Sequence, residues 1–224
     1  MTTIKRIVFI RPGETDWNRL GRWQGQVAIP LNEYGRAQAE RLAFFVRPLG
    51  ISMLYSSDLR RARNTVEPLA LECKTHPIFD ARLRERHMGE WQGLTLDEIK
   101  SWYSEEYARL RANPFGYQIP GGESRQQVVD RVRAAMTDIL GRGGSETVGV
   151  VTHTTVIMTI LSELVPDCGA FDMEFSNISV TTLTNLDGSS WKITQLNDVS
   201  HLVGMDTLKI GGLSEDELET ISGA

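Results

Sequence analysis

Short runs of consecutive apolar residues alternate along the chain with longer stretches whose apolar positions recur every three or four residues. The short runs read as buried strands: residues 4–10 around Ile7-Val8-Phe9-Ile10, then Ile51-Ser52-Met53-Leu54-Tyr55, then Thr147-Val148-Gly149-Val150-Val151. β-branched residues without polar alternation are what a strand covered on both faces requires. Residues 76–79 offer a further short strand. Residues 178–184 and 190–196 read as a hairpin joined through Asn185-Leu186-Asp187-Gly188.

The longer stretches read as helices. Asn32 is placed to cap one carrying Ala39, Leu42, Ala43 and Val46 on one side. Asp58 is placed to cap another from Leu59 to about Glu72, with Leu59, Ala62, Val66, Leu69 and Ala70 inward and Pro68 threatening a kink or an early end. Val128, Val132, Ala135 and Ile139 mark a third, stopped by Gly141 and Gly143-Gly144, and residues 154–165 fit a fourth. Residues 80–124 are irregular, with helical patches near 95–111 and turn signals at Pro114, Gly116, Pro120, Gly121 and Gly122. This order predicts an α/β fold with a mostly parallel central sheet and helices on both faces. Residues 1–204 are expected to form one domain, followed by an acidic tail over 205–224 that is frayed or weakly helical.

Composition removes some classes of partner. With 224 residues, 41% hydrophobic and 24% charged, the chain has the make-up of an ordinary soluble domain with a full core. A net charge of −5 provides no global field for nucleic acid or an anionic membrane, so any anion site must be a local cluster. Two cysteines, Cys73 and Cys168, make neither a disulfide framework nor a zinc site. No apolar run reaches the length of a membrane span, and Met1-Thr2-Thr3-Ile4-Lys5-Arg6 carries no leader pattern. A cytoplasmic location is the expectation.

Polar chemistry collects at three strand ends. Arg11-Pro12-Gly13 follows the first, Ser57-Asp58 with Arg60 and Arg61 the second, and His153 the third. In a parallel sheet these ends share one edge, where ligands of open α/β folds bind. Two guanidiniums and an imidazole brought together repel one another unless an anion lies between them, and a phosphoryl group accepts bidentate bonds from arginine. For any one of these residues alone, a solvated helix face or a satisfied strand-end histidine is the ordinary alternative.

Four segments in order resemble the histidine phosphatase superfamily, the phosphoglycerate-mutase-like fold. Arg11-Pro12-Gly13-Glu14-Thr15 with Asn18 is similar to its Arg-His-Gly-Glu-Thr signature. Ser56-Ser57-Asp58-Leu59-Arg60-Arg61-Ala62 with Thr65 resembles its second motif. Leu83-Arg84-Glu85, followed by Gly89-Glu90-Trp91-Gln92-Gly93, resembles the segment of its acidic proton donor, and Val150-Val151-Thr152-His153 that of its second histidine. The likeness spans residues 4 to about 202. It implies a metal-free, cofactor-free pocket in which a first histidine attacks phosphorus, a carboxylic acid protonates the leaving oxygen, and an acceptor then takes the phosphoryl group. Carried over, Arg11 and Arg61 clamp phosphate, His153 donates to it, Glu85 serves the leaving group, and Asn18 and Gln24 line the pocket. The compact segment between Glu85 and His153 lacks the insertion of the glycolytic mutases, which makes the phosphatase branch the closer likeness.

The chain departs from that pattern in three places. Pro12 stands where the nucleophilic histidine belongs, Ala28 where many members have aspartate, and Thr154 where glycine is common. Pro12 has no atom that can attack or transfer a proton, and Asp16 nearby is a weak substitute. Three functions follow as alternatives: a phosphate-monoester binder that has lost covalent turnover, a hydrolase using direct water attack or another nucleophile, and an enzyme of another class reusing Glu85 and His153 as acid and base. The expected partner is a small phosphorylated or other anionic molecule; a homodimer or pairing with an active paralogue stays open.

Other residues near these motifs have ordinary readings beside the functional ones. Without the resemblance, Glu85 among Arg82, Arg84, Arg86 and His87 reads as a surface salt-bridge cluster. Choice of leaving group is expected to depend on residues around 100–120, where Tyr103, Tyr107, Arg109, Arg111 and Tyr117 form no decisive pattern. His87 is a candidate for the pocket rim, while His76 and His201 read as structural or exposed. Trp17, Trp23, Trp91 and Trp102 read as core or pocket wall.

Overall fold

The computed structural model describes residues 3–205, so the acidic tail over 205–224 lies almost wholly outside the described residues. Strand β1 (Arg6–Ile10) is followed by a one-turn helix α1 (Asp16–Arg19) and by α2 (Glu33–Val46). Then come β2 (Met53–Ser56), α3 (Arg60–Glu72) and β3 (Ile78–Phe79). The irregular middle holds α4 (Leu96–Trp102) and α5 (Ser104–Ala112), and the chain continues through α6 (Arg125–Arg142), β4 (Thr147–Val151) and α7 (Thr154–Leu164). The hairpin β5 (Val180–Thr184) and β6 (Lys192–Asp198) completes it.

The six strands form one sheet in the order β3-β2-β4-β1-β5-β6. β3, β2, β4 and β1 run parallel, and β5 and β6 add antiparallel to the β1 edge. Every residue of β4 is buried, as its position between two parallel neighbours demands. The pleat sends Ile7, Phe9, Val148 and Val150 to one face, against Val132, Ile139, Ile157 and Leu161 of α6 and α7. Val8, Ile10 and Val151 face the other way, against Ala39, Leu42, Val66 and Leu69 of α2 and α3. Helices therefore cover both faces, and the carboxyl ends of β1, β2 and β4 share one edge.

One local expectation is corrected. Asp58 does not cap α3: both its oxygens accept from Arg84, at 2.6 Å from Nε and Nη2, and Ser57 Oγ receives the Leu59 N–H instead. A guanidinium fork outcompetes a single backbone donor for a carboxylate. α3 runs to Glu72 as its pattern predicts, with Pro68 inside it between the buried Val66 and Leu69. Asn32 does cap α2, accepting from Gly35 N at 2.7 Å. α6 runs past Gly141 and stops at Gly143, whose φ of 62° breaks the helical path.

Among the described residues, no helix is long and apolar enough to cross a membrane.

Candidate active site

The loop leaving β1 is fixed by its backbone. Arg11 N donates to Ser179 O at 3.2 Å, and Thr152 N donates to Ile10 O at 2.9 Å, which closes the ladder on both sides. The next residue therefore owes no donor to the sheet, and Pro12 is accommodated without a lost ladder bond. Its carbonyl accepts from Asn177 Nδ2 (3.1 Å) and Ile178 N (3.3 Å). Gly13 N then donates to Thr65 Oγ1 at 3.0 Å, and that hydroxyl donates to Arg61 O at 2.8 Å. Thr15 and Asn18 form a reciprocal cap on α1, so Asn18 Oδ1 is spent on Thr15 and Asn177 and its amide nitrogen is left for the cavity.

Arg61 enters from the first turn of α3 and is buried. Its Nη2 and Nη1 donate to Gly25 O (2.7 Å) and Val27 O (3.1 Å), which fastens the loop after α1 to the site. Burial, opposed by Glu85 and reinforced by Arg11, pushes its pKa down to about 10. It stays a cation at neutral pH. Arg11, anchored through Nη1 to Phe175 O, is shifted downward by burial and supported by Glu85.

His153 is the cap residue of α7, buried, with Nε2 2.9 Å from Ser57 Oγ. Burial, then Arg61 and Arg11, depress its pKa well below the ordinary histidine value, so the ring is neutral. Glu85 follows a short turn anchored by the buried Leu83, whose carbonyl accepts from Thr152 Oγ1 at 2.8 Å. Its carboxylate accepts from Arg86 N (2.7 Å) and from Thr155 N (3.3 Å) in the first turn of α7. Arg131 braces the segment behind it, donating to the carbonyls of Arg82, Arg84 and Glu85 and pairing with Glu123 at 2.9 Å.

Arg11, Pro12, Asn18, Gln24, Arg61, Glu85 and His153 all line one cavity of about 380 Å³. Gln24 Oε1 is buried there without a protein partner. The arrangement offers two cations and several neutral donors to a tetrahedral anion, with a carboxylate beside it. Pro12 faces the same space with a saturated ring. Arg60 is exposed and outside the cavity, as is Asp16, so neither supplies the missing nucleophile. His87 also stays out, its Nδ1 accepting from Gly89 N at 3.0 Å, and the His76 side chain lies elsewhere, beside Lys74 and Pro77. Ala28 stands outside the cavity and Thr154 lines its wall. Sequence reasoning did not single out Asn177, Arg22 or Met88, which also line the cavity, or the Ser57–His153 contact. Ser57 lay within a recognised motif; Asn177 carried no signal. Among the described residues, no cluster of His, Cys, Asp or Glu is placed to hold a metal ion.

The chain matches the sequence profile of the histidine phosphatase superfamily (branch 1) over residues 7–199, and it belongs to that family. Among its relatives is phosphoglycerate mutase-like protein 4 of Arabidopsis thaliana, 37% identical over 92% of this chain and 90% of that protein. The metal-independent phosphoserine phosphatase of Arabidopsis thaliana is 36% identical over 93% and 87% of the two chains. A histidine-to-alanine mutant of the Entamoeba histolytica phosphoserine phosphatase, solved in complex with phosphoserine, superposes with a TM-score of 0.75 at 26% identity, covering 90% of this chain and 100% of that one.

Proposed function

We propose that the chain binds a phosphate monoester between Arg11 and Arg61, with His153, Asn18 and Gln24 as further donors, and that Pro12 deprives it of phosphohistidine-forming turnover. The observation that carries this reading is the convergence of Arg11, Arg61, His153 and Glu85 on a cavity that Pro12 also lines. Binding needs donors and positive charge, both present; covalent transfer needs an attacking atom, which proline lacks. The phosphoserine complex of a histidine-to-alanine relative supports the idea that affinity outlives the loss of a histidine in this fold. The family's phosphatases support a phosphate ester as the ligand class.

A second reading is slow hydrolysis by direct water attack. It is favoured by Glu85, whose carboxylate remains on the cavity with both oxygens held by backbone N–H groups. The test is a calorimetric titration with inorganic phosphate, paired with an aryl phosphatase assay on the same preparation. Micromolar to millimolar binding with turnover no faster than that of a Glu85→Gln variant supports the first reading. Family-like turnover in the unmodified chain overturns it, and turnover that is slow but lost in Glu85→Gln supports the second.

A further inference from the structure

Beside this cavity lies a second cleft of about 600 Å³, and the two share Trp23, Met88 and Thr155 as a common wall. A group leaving an ester held by Arg11 and Arg61, on the Glu85 side, has this cleft as its adjoining space. Three arginines line it: Arg86, Arg111 and Arg125. Among the described residues, none of the three forms an ion pair.

Arg86 is the informative one. It is only 4% exposed, and its guanidinium donates to two neutral carbonyls, Glu123 O at 2.8 Å and Tyr117 O at 3.1 Å. Burial and the neighbouring Arg125, opposed by Glu123 and Glu85, push the Arg86 pKa down to about 10. Arg125 makes no hydrogen bond to protein through its side chain among the described residues and lies over the rings of Phe115 and Phe171, 5.6 and 5.1 Å from their centroids. The single acid on the cleft is Asp172, exposed and out of ion-pair reach of all three. Arg86 is thus a buried cation held by neutral carbonyls, with Glu85 and Glu123 acting on it only from beyond ion-pair reach and the half-buried Arg125 close by, so its charge is incompletely compensated. Three guanidiniums on one cleft, none in an ion pair among the described residues, leave donors and positive charge for an incoming anion. The wall the cleft shares with the first cavity includes Trp23 and Met88, and Tyr107 adds an aromatic ring to the cleft itself.

We propose that this cleft is a subsite for a second anion, so that the chain selects phosphate monoesters whose leaving group carries a carboxylate or a second phosphate on an apolar or aromatic body. The assignment rests on the reading of the first cavity as the phosphate site. The experiment is calorimetric titration of the chain with inorganic phosphate, phenyl phosphate, 4-carboxyphenyl phosphate and 1,4-phenylene bisphosphate. The expected result is that one or both doubly anionic esters bind at least tenfold more tightly than phenyl phosphate, and which of them does identifies the second group. In an Arg111→Gln/Arg125→Gln variant, which leaves the buried Arg86 in place, this margin falls by more than half while affinity for inorganic phosphate is unchanged. Equal affinity for all three esters in the unmodified chain, with phosphate still bound, overturns the subsite and leaves the first cavity standing. Persistence of the full margin in the double variant overturns the subsite as well. Failure of inorganic phosphate and every ester to bind overturns both readings.

Discussion

Ser57 Oγ lies 2.9 Å from His153 Nε2, and the same oxygen accepts the Leu59 N–H at 3.3 Å. The serine is fully buried and its hydroxyl proton has no acceptor among the described residues other than Nε2. Donation to Nε2 puts the proton of the neutral ring on Nδ1, which makes that nitrogen a donor for an anion in the cavity. Ser57→Ala is expected to weaken phosphate binding about five- to tenfold, a loss of about 1 kcal/mol for one hydrogen bond. Nitrogen chemical shifts of the His153 ring report the change of tautomer; unchanged shifts and affinity contradict the assignment.

His153 also makes stability depend on pH. Its folded pKa lies well below the ordinary value because of burial and the nearby arginines. A depressed histidine contributes fully above its unfolded pKa, about 6.5, and the contribution is lost as pH falls below that value toward the folded one. His201, shifted downward by burial, adds in the same direction. The unmodified chain is expected to lose Tm more steeply between about pH 6.5 and 5 than His153→Asn, which retains only the His201 component. Parallel Tm profiles in the two proteins refute this.

Pro12 costs the sheet no hydrogen bond, so reversing it tests chemistry rather than folding. Pro12→His is expected to change the unfolding free energy by no more than about 1 kcal/mol. It is also expected to raise aryl phosphatase activity by at least about 10³-fold, within the range lost when nucleophiles are removed from other covalent enzymes. A phosphohistidine trapped after acid-free quenching identifies the intermediate. Restored imidazole with neither gain nor intermediate means that the cavity is not a disarmed phosphatase site.

The first loop is pinned by two glycines in contact. A Cβ on Gly13 meets Gly35 O at 2.6 Å, and one on Gly35 meets Glu14 O at 2.1 Å. Neither clash involves a side chain that can swing away. Gly35→Ala is expected to cost about 1–3 kcal/mol or more, as other overpacked sites do. Urea unfolding measures the cost, and a value under about 0.5 kcal/mol, the range of ordinary surface changes, shows that α2 stands further from the loop.

Much of this was legible in the chain because period and punctuation act locally. The apolar runs ending at Ile10, Tyr55 and Val151 became β1, β2 and β4 to within a residue or two at their carboxyl ends, and Asn32 capped α2 as its type and place suggested. Arg11, Arg61, Glu85 and His153 met because parallel strand ends share an edge. What escaped depends on distant partners. Asp58 has the type of a cap, yet Arg84, 26 residues away, takes its carboxylate. Asn177 braces Pro12 from a loop with no pattern of its own, and Ile178 beside it, at a φ of 61°, is a residue type that rarely takes that conformation. Of the three arginines in the second cleft, sequence marks Arg111 among the residues near the leaving group, groups Arg86 with the charges around Glu85, and gives Arg125 no signal. Only packing reveals that Arg86 is buried with its guanidinium on backbone carbonyls and in no ion pair among the described residues.

Arg61 joins two tasks that substitution can separate. Its guanidinium holds Gly25 O and Val27 O while facing the cavity, so it organises the loop bearing Gln24 and presents charge at once. Lysine keeps the charge but not the fork. Arg61→Lys is therefore expected to lose at least tenfold in phosphate affinity with modest loss of stability. Arg61→Met, which strands both carbonyls, is expected to cost a further 1–3 kcal/mol or so in folding and to abolish binding. The neighbouring Arg60 is exposed and outside the cavity, so Arg60→Gln is expected to change stability by less than about 0.5 kcal/mol and affinity by less than twofold. Denaturant unfolding and phosphate titration on the three variants read both quantities. Equal losses at positions 60 and 61 mean that the anion is held by general surface charge and not by a guanidinium seated between two loops.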